Sequence, residues 1–183
     1  MGSRLQVSSG VFFLGVLWLL LLPPAWGMGA ILAASVHELG HLLAILACGG
    51  EVLDFTIGCD GAKMETTPMA AGREILCALA GPLGSFSLLA IGNHFPEAAL
   101  CGMVQGLYNL LPIYPLDGGR VIRCLFPAAV CWGIEVFSVT LFSGIALWIS
   151  LRSGQAGLIF LLSLWIPMIR RKLTCKQTAK AVQ

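Results

Sequence analysis

Long apolar stretches recur along the whole chain, and they limit its fold more than any other feature. Of its 183 residues, 57% are hydrophobic and 11% are charged, whereas a soluble domain carries about 25% charged residues. Apolar stretches of about 20 residues form helices that cross a bilayer. We therefore predict an all-α polytopic membrane protein with about six transmembrane helices. The predicted spans are 11–26, 28–48, 69–91, 97–111, 128–150 and 155–169.

The start of the chain has two interpretations. Residues 1–10 form a short polar lead with Arg4, and the apolar stretch 11–26 follows. A charged lead before an apolar core also describes a cleaved signal peptide, here residues 1–27, which would leave five spans. A retained span is favoured because the next apolar stretch follows almost directly and makes a helical hairpin with it. Residues 1–183 are predicted to form a single domain.

Residues 51–67 differ from the apolar stretches around them. Residues 51–57 are rich in β-formers, Asp60-Gly61 is a favoured two-residue turn, and residues 62–67 provide a return strand. This pattern predicts a small membrane-associated β-hairpin, and the alternative is an ordinary interfacial loop. The edge of such a hairpin could receive an extended substrate segment by β-addition.

The basic residues indicate the orientation of the spans. With the N-terminus in the cytoplasm, every Lys and Arg except Arg152 falls on the inner side, as the positive-inside tendency predicts. Both termini are then cytoplasmic, and residues 170–183 form a basic tail at the membrane surface. The net charge of +2 is too small to suggest nucleic-acid binding. The inner basic residues are Arg4, Lys63, Arg73, Arg120, Arg123, Arg170, Arg171, Lys172, Lys176 and Lys180.

The second span contains the polar motif His37-Glu38-Leu39-Gly40-His41. Histidines four residues apart lie on one face of a helix and can hold one Zn²⁺, with Glu38 positioned to activate a metal-bound water. A charged residue in the middle of a span costs roughly 2.5–3.5 kcal/mol on insertion scales, so such residues need a function. Gly40 would let another segment approach between the two ligands. The alternative is a polar cluster that only pairs with a neighbouring helix.

A catalytic zinc usually has three protein ligands, and Asp117 is the best candidate for the third. It lies in an irregular segment with two prolines before it and two glycines after it. Irregular backbone at membrane depth is tolerated where it lines protein or a wet cavity. The alternative role is N-cap of the short helix that follows. The less suitable candidates are His94 in an outer turn, Glu135 as an interfacial charge, and the hairpin acids Glu51, Asp54, Asp60 and Glu65.

Three motifs together resemble the site-2 protease family of intramembrane zinc metalloproteases. They are His37-Glu38-Leu39-Gly40-His41, the pair Gly81-Pro82, and Asn109-Leu110-Leu111-Pro112-Ile113-Tyr114-Pro115-Leu116-Asp117-Gly118-Gly119-Arg120. The resemblance covers about residues 8–150 and looks closest to the compact bacterial branch that includes the sporulation-factor-processing protease. It implies that His37, His41 and Asp117 are zinc ligands and that Glu38 is the general base. It also implies that Asn109 lies close to the site and orients the substrate or the oxyanion.

The resemblance implies an enzyme of regulated intramembrane proteolysis with one catalytic Zn²⁺. Its substrate would be a membrane protein, such as a membrane-tethered transcription regulator, and its location the bacterial cytoplasmic membrane. The sequence departs from the family pattern, because it has no inserted PDZ-type domain and no C-terminal CBS domain. Ser85 also stands where many relatives have Asn. The alternative functions are a non-catalytic zinc-binding membrane scaffold or chaperone, and a metal-ion transporter.

Overall fold

The computed structural model describes residues 4–7, 23–58 and 61–153. Helices predominate, as predicted, and a small sheet accompanies them. The chain divides into two compact units, Met1–Leu110 and Leu111–Gln183, and the single domain stays a prediction. The elements are β1 (Arg4–Val7), α1 (Pro24–Ala47), β2 (Val52–Gly58), β3 (Gly61–Thr66), α2 (Ala71–Ser87, continued by a 3₁₀ turn at Leu88–Ile91), α3 (Pro96–Asn109), α4 (Asp117–Leu125) and α5 (Ala128–Ser153).

Within the described residues, three helical segments are long and apolar enough to cross a membrane, as expected of an integral membrane protein. They are Pro24–Ala47, Ala71–Ile91 and Ala128–Ile149, and they correspond to the predicted second, third and fifth spans. The predicted fourth span is α3, whose 14 residues extend about 21 Å, less than the thickness of a bilayer core. Most of the predicted first span and all of the sixth lie outside the described residues. Six spans are therefore not shown.

Helix α1 begins and ends at residues with suitable backbone preferences. Pro24 occupies the first helical turn, where its missing N–H costs nothing. Pro24 to Trp26 therefore belong to α1, whereas the sequence assigned them to the preceding span. The helix ends before Gly49, which has a φ of 74°, a conformation that glycine adopts without strain. The predicted end of this helix at Gly49-Gly50 is confirmed.

Small residues fill the interior of the first unit, and large apolar residues cover its outside. Helices α1, α2 and α3 pack against one another, and their buried apolar residues are mainly small ones, namely Ala33, Cys77, Ala78, Ala98 and Ala99. This distribution is typical of helices packed in lipid, where small residues let the backbones approach and large ones face the acyl chains. The exposed leucines of α1 and α2 include Leu39, Leu43, Leu46, Leu76 and Leu83.

Gly40 lies where α1 and α2 approach each other closely. A Cβ atom placed on Gly40 would overlap the carbonyl group of Ala80, and one on Gly84 would lie 2.9 Å from the carbonyl oxygen of Val36. Any larger side chain at either position would push the two helices apart. The predicted close approach beside the His37–His41 pair is confirmed.

The predicted β-hairpin is present as part of a three-stranded sheet. Strands β2 and β3 pair in antiparallel register, with Phe55 opposite Met64 and Gly58 opposite Gly61. Gly61 is therefore a strand residue and not part of a turn, so the predicted Asp60-Gly61 turn is wrong at Gly61. Asp60 lies outside the described residues. Strand β1 adds to β2 in parallel, with Arg4 opposite Asp54. The description of residues 1–10 as a simple polar lead was therefore wrong at Arg4–Val7.

Candidate metal site

The two histidines of α1 form a compact pair inside the first unit. His37 and His41 are 3% and 8% exposed, and their Nε2 atoms lie 3.2 Å apart. Two nitrogens that each bind zinc at 2.0–2.1 Å in a tetrahedral arrangement are about 3.3 Å apart. The spacing of these two atoms therefore fits a shared Zn²⁺ ion.

The outer nitrogen of His41 is held by the main chain of α2. Its Nδ1 lies 2.7 Å from the carbonyl oxygen of Cys77. A carbonyl oxygen only accepts hydrogen bonds, so Nδ1 must carry the proton and donate it. The lone pair of the neutral ring then belongs to Nε2, the atom that faces His37. Metal-binding histidines commonly have such a partner on the other ring nitrogen.

The outer nitrogen of His37, its Nδ1 atom, is held by a side chain of α2. Its Nδ1 lies 2.9 Å from Oγ of Ser85, a residue with no exposed surface. A hydroxyl oxygen can accept from Nδ1–H, which again leaves the Nε2 lone pair to face the neighbouring histidine. Both imidazoles are therefore oriented from behind by α2.

The Gly81-Pro82 motif has a direct packing role at this pair. A Cβ atom on Gly81 would overlap the imidazole ring of His41, so only glycine fits where the ring lies. Cys77, Gly81 and Ser85 follow at four-residue intervals, which places them on one face of α2. This face carries the two hydrogen-bond partners, Cys77 and Ser85, and between them Gly81, which leaves space for the ring of His41. The sequence motif indicated close helix contact, and the contact is with a predicted ligand.

Glu38 lies between the two histidines in the sequence and is half-buried. It follows His37 by one residue, which turns it about 100° around the helix axis from the ligand face. A carboxylate next to a pair of metal-binding histidines, and partly shielded from solvent, can accept a proton from a water molecule.

In the second unit, Asp117 is a buried carboxylate at the start of α4. It is 6% exposed, and Leu116, not Asp117, occupies the N-cap position. The N-cap alternative considered for Asp117 is therefore wrong. Arg120 lies one turn along α4, with its Nη1 3.7 Å from Oδ1 of Asp117. A helix N-terminus attracts negative charge, so a carboxylate suits this position.

The segment before Asp117 folds back tightly on α4. A Cβ atom on Gly119 would overlap the peptide between Ile113 and Tyr114, which explains the need for glycine two residues after the aspartate. Arg123 of α4 stacks over the ring of Tyr114, with the guanidinium carbon 3.8 Å from the ring centroid. It also donates from Nη2 to Oε1 of Glu135 on α5 at 2.9 Å.

The other candidate residues lie in different surroundings. His94 is exposed in the turn before α3, and Glu51 and Glu65 are exposed next to or within the sheet. Glu135 is buried and paired with Arg123, and its position at the membrane interface stays a prediction. Asp60 lies outside the described residues.

Asn109 is the last residue of α3 and is half-buried. Its Nδ2 donates to the carbonyl oxygen of Gln105 in the same helix at 3.1 Å. This bond holds the amide against the end of α3 and orients its other atoms. A role in substrate binding stays a prediction.

Comparison with known proteins identifies the fold and its relatives. The structure is similar to that of a site-2 protease from Methanocaldococcus jannaschii, with a TM-score of 0.63 and 20% sequence identity over 93% of this chain and 91% of that one. The chain therefore has the site-2 protease fold. No family model matches the sequence.

The sequence relatives carry names of one class. The chain is 35% identical over 122 residues to a Synechocystis protein named "putative zinc metalloprotease", covering 55% of this chain and 32% of that protein. It is 27% identical over 135 residues to a zinc metalloprotease of Methanocaldococcus jannaschii, covering 66% of this chain and 37% of that protein. The chain thus spans about a third of the length of these relatives. Together with the fold, they confirm the resemblance to the site-2 protease family.

Proposed function

We propose that the protein is an intramembrane zinc metalloendopeptidase, which hydrolyses peptide bonds of membrane-spanning or membrane-associated substrates. One observation carries the proposal: His37 and His41 are buried in an apolar helix, with their Nε2 atoms 3.2 Å apart and their Nδ1 atoms held by α2. This spacing is close to the roughly 3.3 Å that separates two nitrogen ligands of one tetrahedral zinc ion.

His37, His41 and Asp117 are the proposed ligands of one Zn²⁺. All three are buried, and each offers one ligand atom of a kind that zinc takes. The names of the relatives support zinc over other metals. A zinc ion bound there would supply a water molecule with a pKa near 7 and would polarise the scissile carbonyl group.

Glu38 is the proposed general base. It would take a proton from the attacking water and pass it to the leaving amine. The half-buried position of the carboxylate supports this role, because partial exclusion of water strengthens its electrostatic interactions. Asn109, at the end of α3, is proposed to orient the substrate or the oxyanion. An enzyme needs the base, whereas a zinc scaffold or a transporter does not.

The experiment compares the detergent-purified wild type with Glu38→Gln on a single-span membrane substrate. Glu38→Gln should bind zinc in the same amount as the wild type, because the three proposed ligands are intact. Its cleavage rate should fall by roughly 10²–10⁴-fold, the usual contribution of a general base. Cleavage at the normal rate by Glu38→Gln would contradict the assigned mechanism. Zinc transport into liposomes without any proteolysis would favour the transporter.

The location and the substrate follow from the same proposal. The protein is proposed to act in a bacterial cytoplasmic membrane with both termini in the cytoplasm. Its substrate is proposed to be a membrane-tethered protein, such as a transcription regulator that cleavage releases. A helical substrate must be extended before attack, so helix-weakening residues near the cleavage site should increase the rate.

A further inference from the structure

We propose that Ser85 is a positioning residue that fixes the orientation and the tautomer of His37. This proposal rests on the proposed function, because it assigns His37 to the metal. Ser85 lies on α2 with no exposed surface, and its Oγ is 2.9 Å from Nδ1 of His37. When Oγ accepts the Nδ1 proton, Nε2 keeps its lone pair for the metal.

The two histidines depend on α2 in different ways. The Nδ1 atom of His41 bonds to the main-chain carbonyl of Cys77, and this oxygen is present whatever side chain occupies position 77. The Nδ1 atom of His37 bonds to a side-chain hydroxyl, which a substitution can remove. The geometry of one proposed ligand is therefore set by the backbone, and that of the other by a single replaceable atom.

The packing around Ser85 restricts which other side chains could accept the hydrogen bond from His37. A Cβ atom on Gly102 would lie close to the carbonyl oxygen of Ser85, so α3 approaches α2 directly at this residue. A completely buried position under such an approach has little room for a larger polar group. A hydroxyl is small enough to fit and still accepts a hydrogen bond. Ser87, two residues further on, is exposed, and its hydroxyl bonds to the carbonyl of Gly84 and not to a histidine.

The test replaces zinc by Co²⁺, whose visible absorption reports ligand number and geometry without any turnover. The variants are Ser85→Ala, which removes the acceptor, and Ser87→Ala, which removes a hydroxyl from the same helix away from the histidines. Co²⁺ binding to Ser85→Ala should weaken by roughly 10- to 100-fold, the usual effect of losing a partner of a metal-binding histidine. Its visible bands should shift or lose intensity. Ser87→Ala should match the wild type in both.

Ser85→Cys guards against a failure of Ser85→Ala to fold, because its thiol fills the space of the hydroxyl, although it is somewhat larger, and accepts hydrogen bonds only weakly. Its Co²⁺ affinity should lie between those of the wild type and Ser85→Ala. Affinity and bands equal to the wild type's in Ser85→Ala, or in Ser85→Cys if the alanine variant does not fold, would overturn the proposal. A wild type that binds no Co²⁺ overturns the metal site and this role together. A wild type that binds Co²⁺ but cuts no substrate overturns only the proposed protease activity. The Co²⁺ affinity of Ser85→Ala, compared with that of the wild type, then still decides whether Ser85 positions His37.

Discussion

At the scale of single residues, two hydrogen bonds and the missing side chain of Gly81 position the histidine pair His37 and His41. Each imidazole has its Nδ1 atom held by α2, through the carbonyl of Cys77 or the hydroxyl of Ser85. Gly81 leaves the space that the ring of His41 occupies. An imidazole fixed at one nitrogen presents the other in a defined direction, which lowers the entropy cost of binding a metal.

Asp117→Ala provides the first residue-scale prediction. Removal of the carboxylate leaves two proposed protein ligands, so we expect zinc occupancy after dialysis to fall well below that of the wild type. Cleavage should fall with it. The measurement is zinc content per protein by elemental analysis. Asp54→Ala, the same substitution in the sheet, is the control and should retain its zinc. Full occupancy in Asp117→Ala would show that the third ligand lies elsewhere.

Residue-scale predictions from the sequence succeeded where a local pattern carries the chemistry. Histidines four residues apart must share a helix face, so the pairing of His37 with His41 was predictable from spacing alone. The partner of His41 was not, because a main-chain carbonyl has no signature in the sequence. Ser85 was visible only as a departure from the family pattern. Its contact with His37 depends on how α1 crosses α2, which local sequence does not specify.

At the scale of elements, the function depends on the crossing of α1 and α2. The leucines of both helices are largely exposed, whereas the buried residues of the helices include several glycines and alanines. Glycine at position 40 lets the backbone of α1 approach the carbonyl of Ala80. That close approach brings the outer nitrogens of the histidines within hydrogen-bond distance of α2.

Gly40→Ala tests the importance of this crossing. The added methyl group would overlap the carbonyl of Ala80, and overpacking of this kind typically costs 1–3 kcal/mol, so we expect about 2 kcal/mol of lost stability. Thermal unfolding in detergent measures the loss. Zinc occupancy should also fall, because the helices separate next to the histidines. Gly72→Ala, at an exposed position of α2 with no atom near the added Cβ, is the matched control. Equal melting temperatures for the two variants would contradict the close crossing.

Prediction of the elements failed where an element was very short or where one apolar run continued from one element into the next. Strand β1 has four residues, too few to distinguish a strand from a polar lead, and it is stabilised by parallel pairing with β2. The beginning of α1 was placed too late because residues 11–26 form one apolar run that continues to its first turn. The end of α1 was predicted correctly because two glycines follow it. The hairpin was found from its β-forming residues, and only Gly61 was assigned to a turn instead of to β3.

At the scale of the whole molecule, three apolar helical segments and the site-2 protease fold define an integral membrane protein. The apolar residues of these segments are largely on the outside, which is stable only when lipid covers them. The sequence contained this result in its composition, because few charged residues are available to solvate such a surface. The number of spans was harder to predict, because α3 is apolar but has only 14 residues.

The orientation of the chain in the membrane gives the last prediction. Basic residues favour the cytoplasmic side, so the β2–β3 hairpin should lie in the cytoplasm and the turn before α3 should lie outside. We expect alkaline phosphatase inserted after His94 to be active in a bacterial host, because that enzyme needs the disulfides that form outside the cytoplasm. A fluorescent protein inserted after Thr67 should fluoresce, and phosphatase at that position should be inactive. The reverse pattern would place the β2–β3 hairpin outside the cytoplasm and would contradict the predicted orientation.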